Sequence, residues 1–486
     1  MPCPRSRSLV LACLLGCGPS APQAGIPPVP PGVVDAQVSA FELETEPRPT
    51  ASTQEALPQW MHDAAERVTA HAQGRTRAWD RLAEMVDRYP VRLSGSKGLE
   101  GAIDWAVQTM ADDGLANARR EKVMVPHWER GRESLRIVSP IELELPMLGL
   151  GMSIGTQRPV RAEVVVVDHV DEIAKRDDLA GKIVVINQAM QPYDHDKQDS
   201  GYGTAVQARS RGAIEAGKKG ARAVLIRSVT ATSLSTPHTG AMRYEEGVRK
   251  IPAAAVTPEG AQRLARMTKR GPVTLELRMG ARQFPDAVSA NAIAELPGRE
   301  KPDEIVLIGG HIDAWDVGDG AHDDGSGCLM AMEAALMLHE LGLVPRRTIR
   351  VVLFTNEENG LRGGLEYFEA HRGETHVAAI EADAGSGAPE GFSIAHPDDA
   401  VVQRIASWSP LFRGLGADHI RAGWGGADIS PLMEAGVLGI AVRPDGSRYF
   451  DYHHSPADTV DKVDPDHLQR NAAAMALLAY LLAEAE

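Results

Sequence analysis

Cysteine is scarce in this 486-residue chain: only Cys3, Cys13, Cys17 and Cys328 occur. Nothing in that spacing makes a disulfide framework or a thiolate metal knot. Positive charge is also in deficit. With 51 Lys and Arg against 66 Asp and Glu, the formal charge is −15, which argues against nucleic acid as a partner, because phosphate binding needs a basic surface. The apolar run Leu9–Leu15 falls far short of the ~20 residues that span a bilayer, and no internal repeat is evident. What remains is ordinary globular material, 43% hydrophobic and 24% charged, long enough for two or three domains with real cores.

The first residues are an exception. Arg5 and Arg7 precede the short apolar run, which ends in Leu14-Leu15-Gly16-Cys17. This segment resembles the lipobox of bacterial lipoproteins. The resemblance implies a signal peptide over 1–16, cleavage before Cys17, and lipidation of its sulfur. The protein would then be exported and tethered to a membrane without spanning it, in the periplasm or at the cell surface. Gly18 after the cysteine leaves inner or outer membrane open. Residues 17–56, rich in Pro, Ala and Gly, read as a flexible tether. After processing, Cys328 would be the lone internal cysteine; it lies in an apolar helical run and reads as a small core residue.

Helical spacing of Trp79, Leu82, Met85 and Val86 predicts a helix that stops at Tyr89-Pro90, and a second runs from about Leu99 to Met110 with Ser96 as its cap. Strands are expected at 163–169, 182–186, 221–226, 252–257 and 273–277, with a helix at 209–219. They form a small mixed α/β unit within the larger domain. The alternation then becomes strand 304–308, helix 326–341, strand 348–354, helix 363–370, strand 377–381 and a terminal helix at about 466–485. That order predicts an α/β fold with a mostly parallel mixed sheet flanked by helices.

In open α/β sheets ligands bind at the C-terminal strand edges. Each of those edges here ends in an acid or an imidazole. The first strand delivers Gly-Gly-His311-Ile-Asp313, and the next loop holds His322-Asp323-Asp324. The later strands deliver Glu357-Glu358 and Asp383, and further on come His453-His454 and Asp458. A single surface acid is usually idle, but so many on one rim point to cations. Histidine with carboxylate, without cysteine, suits zinc in a site that is not of the structural thiolate kind. The neighbours His453 and His454 compete for one position, and Asp323 and Asp324 for another.

The stretches GGHIDAWDVGDGAHDDGSG, FTNEENG, EADAG and YHHSPADT resemble the M28 family of zinc exopeptidases, and similarity continues through PHWERG, LIRSV and PHTG. The resemblance implies the zinc exopeptidase (phosphorylase/hydrolase-like) fold over 57–129 and 286–486, interrupted at 130–285 by a unit resembling a protease-associated insert. It implies two Zn2+ per chain, bridged by Asp323, with His311 and Asp383 on one and Glu358 and His454 on the other. Glu357 matches the general base that deprotonates a water bridging the metals, and Asp313 orients a histidine ligand. The family's ligand directly precedes the Ser of HSxxD, which favours His454; the twelve-residue step from His311 favours Asp323. The implied activity is hydrolysis of dipeptides and short peptides with free termini, and a homodimer is suggested by the resemblance alone. The alternatives are a broad aminopeptidase, a non-catalytic binding protein on a peptidase fold, or a glutaminyl cyclase; the filled positions and the insert speak against the last two. Trp315 and Trp424 read as pocket walls or packing anchors, 425–428 as a tight loop, and Arg443 and Arg448 as surface ion-pair residues in preference to partners of a substrate carboxylate. His396, His419 and His467 have no partner pattern.

Overall fold

A computed structural model describes residues 57–195 and 197–485. The signal-peptide, Cys17 and tether expectations lie outside these residues. The chain begins with helices Gln59–Ala72, Arg77–Arg88 and Lys97–Asp112. Ser96 caps the third, its Oγ accepting from Leu99 N at 3.1 Å, which satisfies one of the free amides of the first turn.

Two eight-stranded sheets follow. The larger runs, edge to edge, Ala116–Glu129, Arg282–Leu296, Arg347–Phe354, Lys301–His311, Thr375–Glu381, Leu438–Pro444, Pro389–Ala395 and His419–Ala422. Its four inner strands from Arg347–Phe354 to Leu438–Pro444 are mutually parallel. Arg347–Phe354 is buried at every position, its apolar run Val351–Phe354 as expected when helices cover both sheet faces, and its Arg347 and Arg350 paired with Glu304 and Glu295. Ala116–Glu129 and Arg282–Leu296 form a long antiparallel ribbon, with Lys122 opposite Ala290. The second sheet lies between them in sequence, over 133–279. Its centre is parallel, from Val160–Val167 through Ile183–Ile186 and Ala223–Arg227 to Ala253–Val256, and each face has its own apolar cluster.

The core of the larger unit surrounds helix Ser326–Glu340, buried from Ser326 to Leu338. A helix apolar on all sides must be covered on all sides; the sheet and terminal helix Pro465–Glu484 do this. Cys328 is buried in this core, as expected. No helix among the described residues is long and apolar enough to cross a membrane.

Candidate metal centre

The six residues anticipated from the strand ends converge at the rim of the larger sheet. His311 closes strand Lys301–His311, and its Nε2 lies 3.4 Å from Asp323 Oδ1, 3.5 Å from Asp383 Oδ1 and 4.0 Å from Glu357 Oε2. His454 Nε2 lies 2.9 Å from Glu358 Oε2 and 3.1 Å from Asp323 Oδ2. Asp323 therefore stands between the two imidazoles, one oxygen toward each.

The competing neighbours separate by what they touch. Asp324 accepts at both oxygens from backbone amides, Oδ2 from His311 N and Oδ1 from Gly327 N, each at 3.0 Å. A Cβ at Gly310 would sit 2.3 Å from Asp324 Oδ2, and one at Gly327 2.4 Å from its Oδ1, so two glycines make room for this carboxylate against the backbone. Asp323 Oδ2 has no hydrogen bond. His453 Nε2 is 3.6 Å from Asp323 Oδ2, farther than His454, and its ring stacks on that of His454 with centroids 3.5 Å apart.

A second layer holds the first. Asp313 Oδ1 accepts from Glu357 N at 3.0 Å, Oδ2 from Glu358 N at 3.4 Å, and its carbonyl meets His311 Nδ1 at 3.0 Å. Asp458 accepts from the amides of Ala321, His322 and Asp323 at 3.1, 2.7 and 3.1 Å. Asp458 thereby fixes the loop ahead of Asp323; its role was not legible beyond its place in the YHHSPADT stretch. Glu381 takes the amides of Ala427 and Ile429, while both oxygens of buried Asp428 are unpartnered. The loop at 425–428 thus carries a buried acid as well as a turn.

The electrostatics are those of a crowd of carboxylates short of cations. Burial pushes Glu357 well up, helped by the charges of Asp383 and Glu358 against His311. Burial likewise raises Glu358 to about 7. Burial would lower both histidines, but Asp323 and Asp383 hold His311 well above its ordinary range, and Glu358 and Asp323 lift His454 to about 9. His311 Nε2, Asp323 Oδ2 and Glu358 Oε1 are buried without hydrogen bonds. Such lone pairs are costly unless a cation takes them, and nitrogen-with-oxygen donor sets suit zinc. The residues fit that metal.

A cavity of about 280 Å3 opens on Asp323, Glu357, Glu358, Asp383 and His454. Its other walls include Leu361, Trp424, Tyr449 and, from the second sheet's unit, Met152, Met242, Tyr202 and Arg209. The sequence carried no signal for these last two. Trp424 lines the cavity, whereas Trp315 is buried, its ring centroid 5.7 Å from that of His454. Arg448 pairs with Asp451 at 3.3 Å as expected. Arg443 corrects its expectation: it is half-buried with no ion pair among the described residues, and burial with neighbouring Arg421 pushes its pKa down.

The sequence model of peptidase family M28 matches residues 291–479. Carboxypeptidase Q of Bos taurus is 41% identical over 426 residues, 86% of this chain and 88% of that protein, and the Homo sapiens protein is 40% identical over the same shares. The crystal structure of a peptidase M28 precursor from Shewanella amazonensis superposes with TM-score 0.84 at 36% identity, covering 88% of this chain and 98% of that one. A zinc aminopeptidase from Bacillus subtilis shares the fold, with TM-score 0.61 at 18% identity over 84% of this chain and 95% of its own. With its zinc-exopeptidase fold and a cluster of metal-ligating side chains at the sheet rim, this chain belongs to peptidase family M28 and is a carboxypeptidase Q-like exopeptidase of that zinc metallopeptidase family.

Proposed function

We propose that the protein is a co-catalytic two-zinc exopeptidase that hydrolyses dipeptides and short peptides with free termini. Asp323 would be shared by the two ions, His311 and Asp383 would hold one, Glu358 and His454 the other, and Glu357 is the general base. The observation that carries this reading is the set of buried, unpartnered atoms His311 Nε2, Asp323 Oδ2 and Glu358 Oε1, with Asp323 between the two imidazoles. Two cations would engage all three.

Bound zinc supplies a Lewis acid for the scissile carbonyl and makes its water acidic. The chain's own residues do the rest. Asp313 fixes the turn that presents Glu357 and Glu358 by accepting both their amides. Glu357 is the acid of this set that is left over once the five ligands are assigned. Its carboxylate takes the proton of the attacking water and returns it to the leaving amine, a transfer worth about 10²–10⁴-fold. The largely apolar cavity walls exclude water, and a volume of about 280 Å3 is small for a ligand pocket, where about 300–1,000 Å3 is usual. That size supports short substrates.

The test is a metal count together with a panel of free and terminally blocked di- and tripeptides. Two zinc per chain, cleavage of free dipeptides, and loss of turnover with zinc retained in Glu357→Gln are expected. Fewer than two zinc, or full activity in that variant, overturns the mechanism.

A further inference from the structure

We propose that segment 230–239 of the second sheet's unit positions His454, so that this unit governs occupancy of the metal position of Glu358 and His454 but not that of His311 and Asp383. The assignment rests on the two-zinc reading above. His454 has φ of 57°, a left-handed backbone that is costly for a residue with a Cβ and persists only where its surroundings impose it. The larger unit supplies part of that constraint. In helix Tyr449–Tyr452 and the turn after it, the amides of His453 and Ser455 donate to Tyr449 O and Tyr452 O at 3.0 and 3.1 Å. The carbonyls of His453 and His454 find their donors outside that unit.

Both are served by the second sheet's unit. His238 Nδ1 lies 2.7 Å from His453 O, and because a carbonyl only accepts, the imidazole donates there. Thr239 N donates to His454 O at 2.9 Å, and Thr232 Oγ1 bonds to Asp451 Oδ1. Gly240, with φ of 129°, lets the same segment close on the ligand itself, since a Cβ there would sit 2.8 Å from His454 Nδ1. The donors are fixed in their turn. Ser228 Oγ accepts from His238 N at 2.9 Å and donates to Val256 O at 2.8 Å, while Thr239 Oγ1 donates to Gly149 O at 2.8 Å. Ser228, His238 and Thr239 are all buried, so no water stands ready to replace these bonds.

The other position is made differently. His311 ends a strand of the larger sheet, its Nδ1 meets the Asp313 carbonyl, and Ala382 N, beside Asp383, donates to Gly309 O at 3.0 Å. These contacts all lie inside the larger unit. One position is therefore built by the sheet rim alone, and the other only when two units with separate cores are seated together. Without the clamp, His454 is free to leave its left-handed conformation. A ligand that has to be reordered on binding holds its metal more weakly.

The experiment titrates metal-free full-length protein with zinc against a chromophoric chelator, and the unmutated protein is expected to show two steps. His238→Leu, which keeps the bulk and removes the donor, should weaken one step about 10–100-fold, the range for partners that orient metal ligands, and leave the other within about threefold. His238→Asn, whose amide still donates to the His453 carbonyl, should keep both steps near those of the parent, a rescue that a merely space-filling role would not give. Thr232→Val should weaken the same step by a smaller factor, and it reads the clamp if His238→Leu does not fold. Combining His238→Leu with Asp383→Ala or with Glu358→Ala tells which step is affected: it should weaken the zinc left in the first background and spare the zinc left in the second. Equal weakening of both steps, weakening of neither, or the reverse dependence on background overturns the clamp. Should the unmutated protein bind a single zinc, the two-zinc reading fails; the clamp then stands if His238→Leu weakens that zinc and His238→Asn does not, and falls otherwise.

Discussion

Asp313→Asn probes how much of the metal centre is held by an acid that is expected to touch neither metal nor substrate. Asp313 is fully buried, and its two oxygens accept from Glu357 N at 3.0 Å and Glu358 N at 3.4 Å. Oδ1 also lies 3.7 Å from His311 Nδ1. Asparagine keeps one acceptor, for the shorter bond, but sets an NH2 group against the Glu358 amide. A buried amide deprived of its acceptor costs about 1–3 kcal/mol; alanine, which strands both amides, costs about twice that. The turn presenting Glu358 then relaxes away from its bond. At about 1.4 kcal/mol per decade, asparagine should weaken zinc binding about 10–100-fold, the range for partners that orient metal ligands. The assay is competition against a chromophoric chelator, with dipeptide turnover measured at saturating zinc. Saturation should restore most of the activity in Asp313→Asn. Zinc affinity within threefold of the parent protein would refute the idea that these two bonds set the ligand geometry.

Other substitutions test other links. A Cβ at Gly151 would lie 1.9 Å from Trp315 Cη2, and Trp315 packs on His454; Gly151→Ala should cost at least the about 1–3 kcal/mol of overpacking, read as a lower melting temperature and reduced turnover. Burial pushes His238 down to about 4 from an ordinary 6.5, so the unfolded chain takes up the proton first. Its contribution is present above pH 6.5 and lost as pH falls through 4, up to about 3 kcal/mol. His238→Asn, whose amide still donates to the His453 carbonyl, should flatten that limb of the urea-denaturation profile. Chelation should lower the melting temperature, since zinc at a thousandfold above its dissociation constant stabilises by about 4 kcal/mol; an unchanged melting temperature after verified metal removal contradicts binding at the buried acids.

The strand ends were legible because their physics is local. Apolar runs buried on both faces mark parallel strands, and the predicted strands at 304–308, 348–354 and 377–381 correspond to Lys301–His311, Arg347–Phe354 and Thr375–Glu381. The helix expected at 326–341 is Ser326–Glu340. The ribbon of Ala116–Glu129 with Arg282–Leu296 went unread, because its polar, partly exposed first strand lacks a clean period of two and its partner lies across the second sheet. Arg209 was invisible for a similar reason: it meets His454 across 245 positions, and no motif announces such a contact. The burial of Glu381 and Asp428 is likewise a product of packing, not of spacing. His453 and His454 are chemically identical neighbours, and only backbone geometry, with φ of 57° at His454, turns them to different tasks.

The ribbon also fixes an order of events during synthesis. Ala116–Glu129 leaves the ribosome long before Arg282–Leu296, and the whole second sheet is made in between. A fourteen-residue strand thus waits as an open edge, the kind of surface that recruits stray strands. The charged residues Arg119, Arg120, Glu121 and Lys122 within it guard that edge in the interval, since like-sided charges discourage pairing between copies. Helix Pro465–Glu484, which covers Ser326–Glu340, is made later than both strands. With proposed ligands that extend from His311 to His454, the chain cannot assemble its peptide-cutting centre until His454 has left the ribosome.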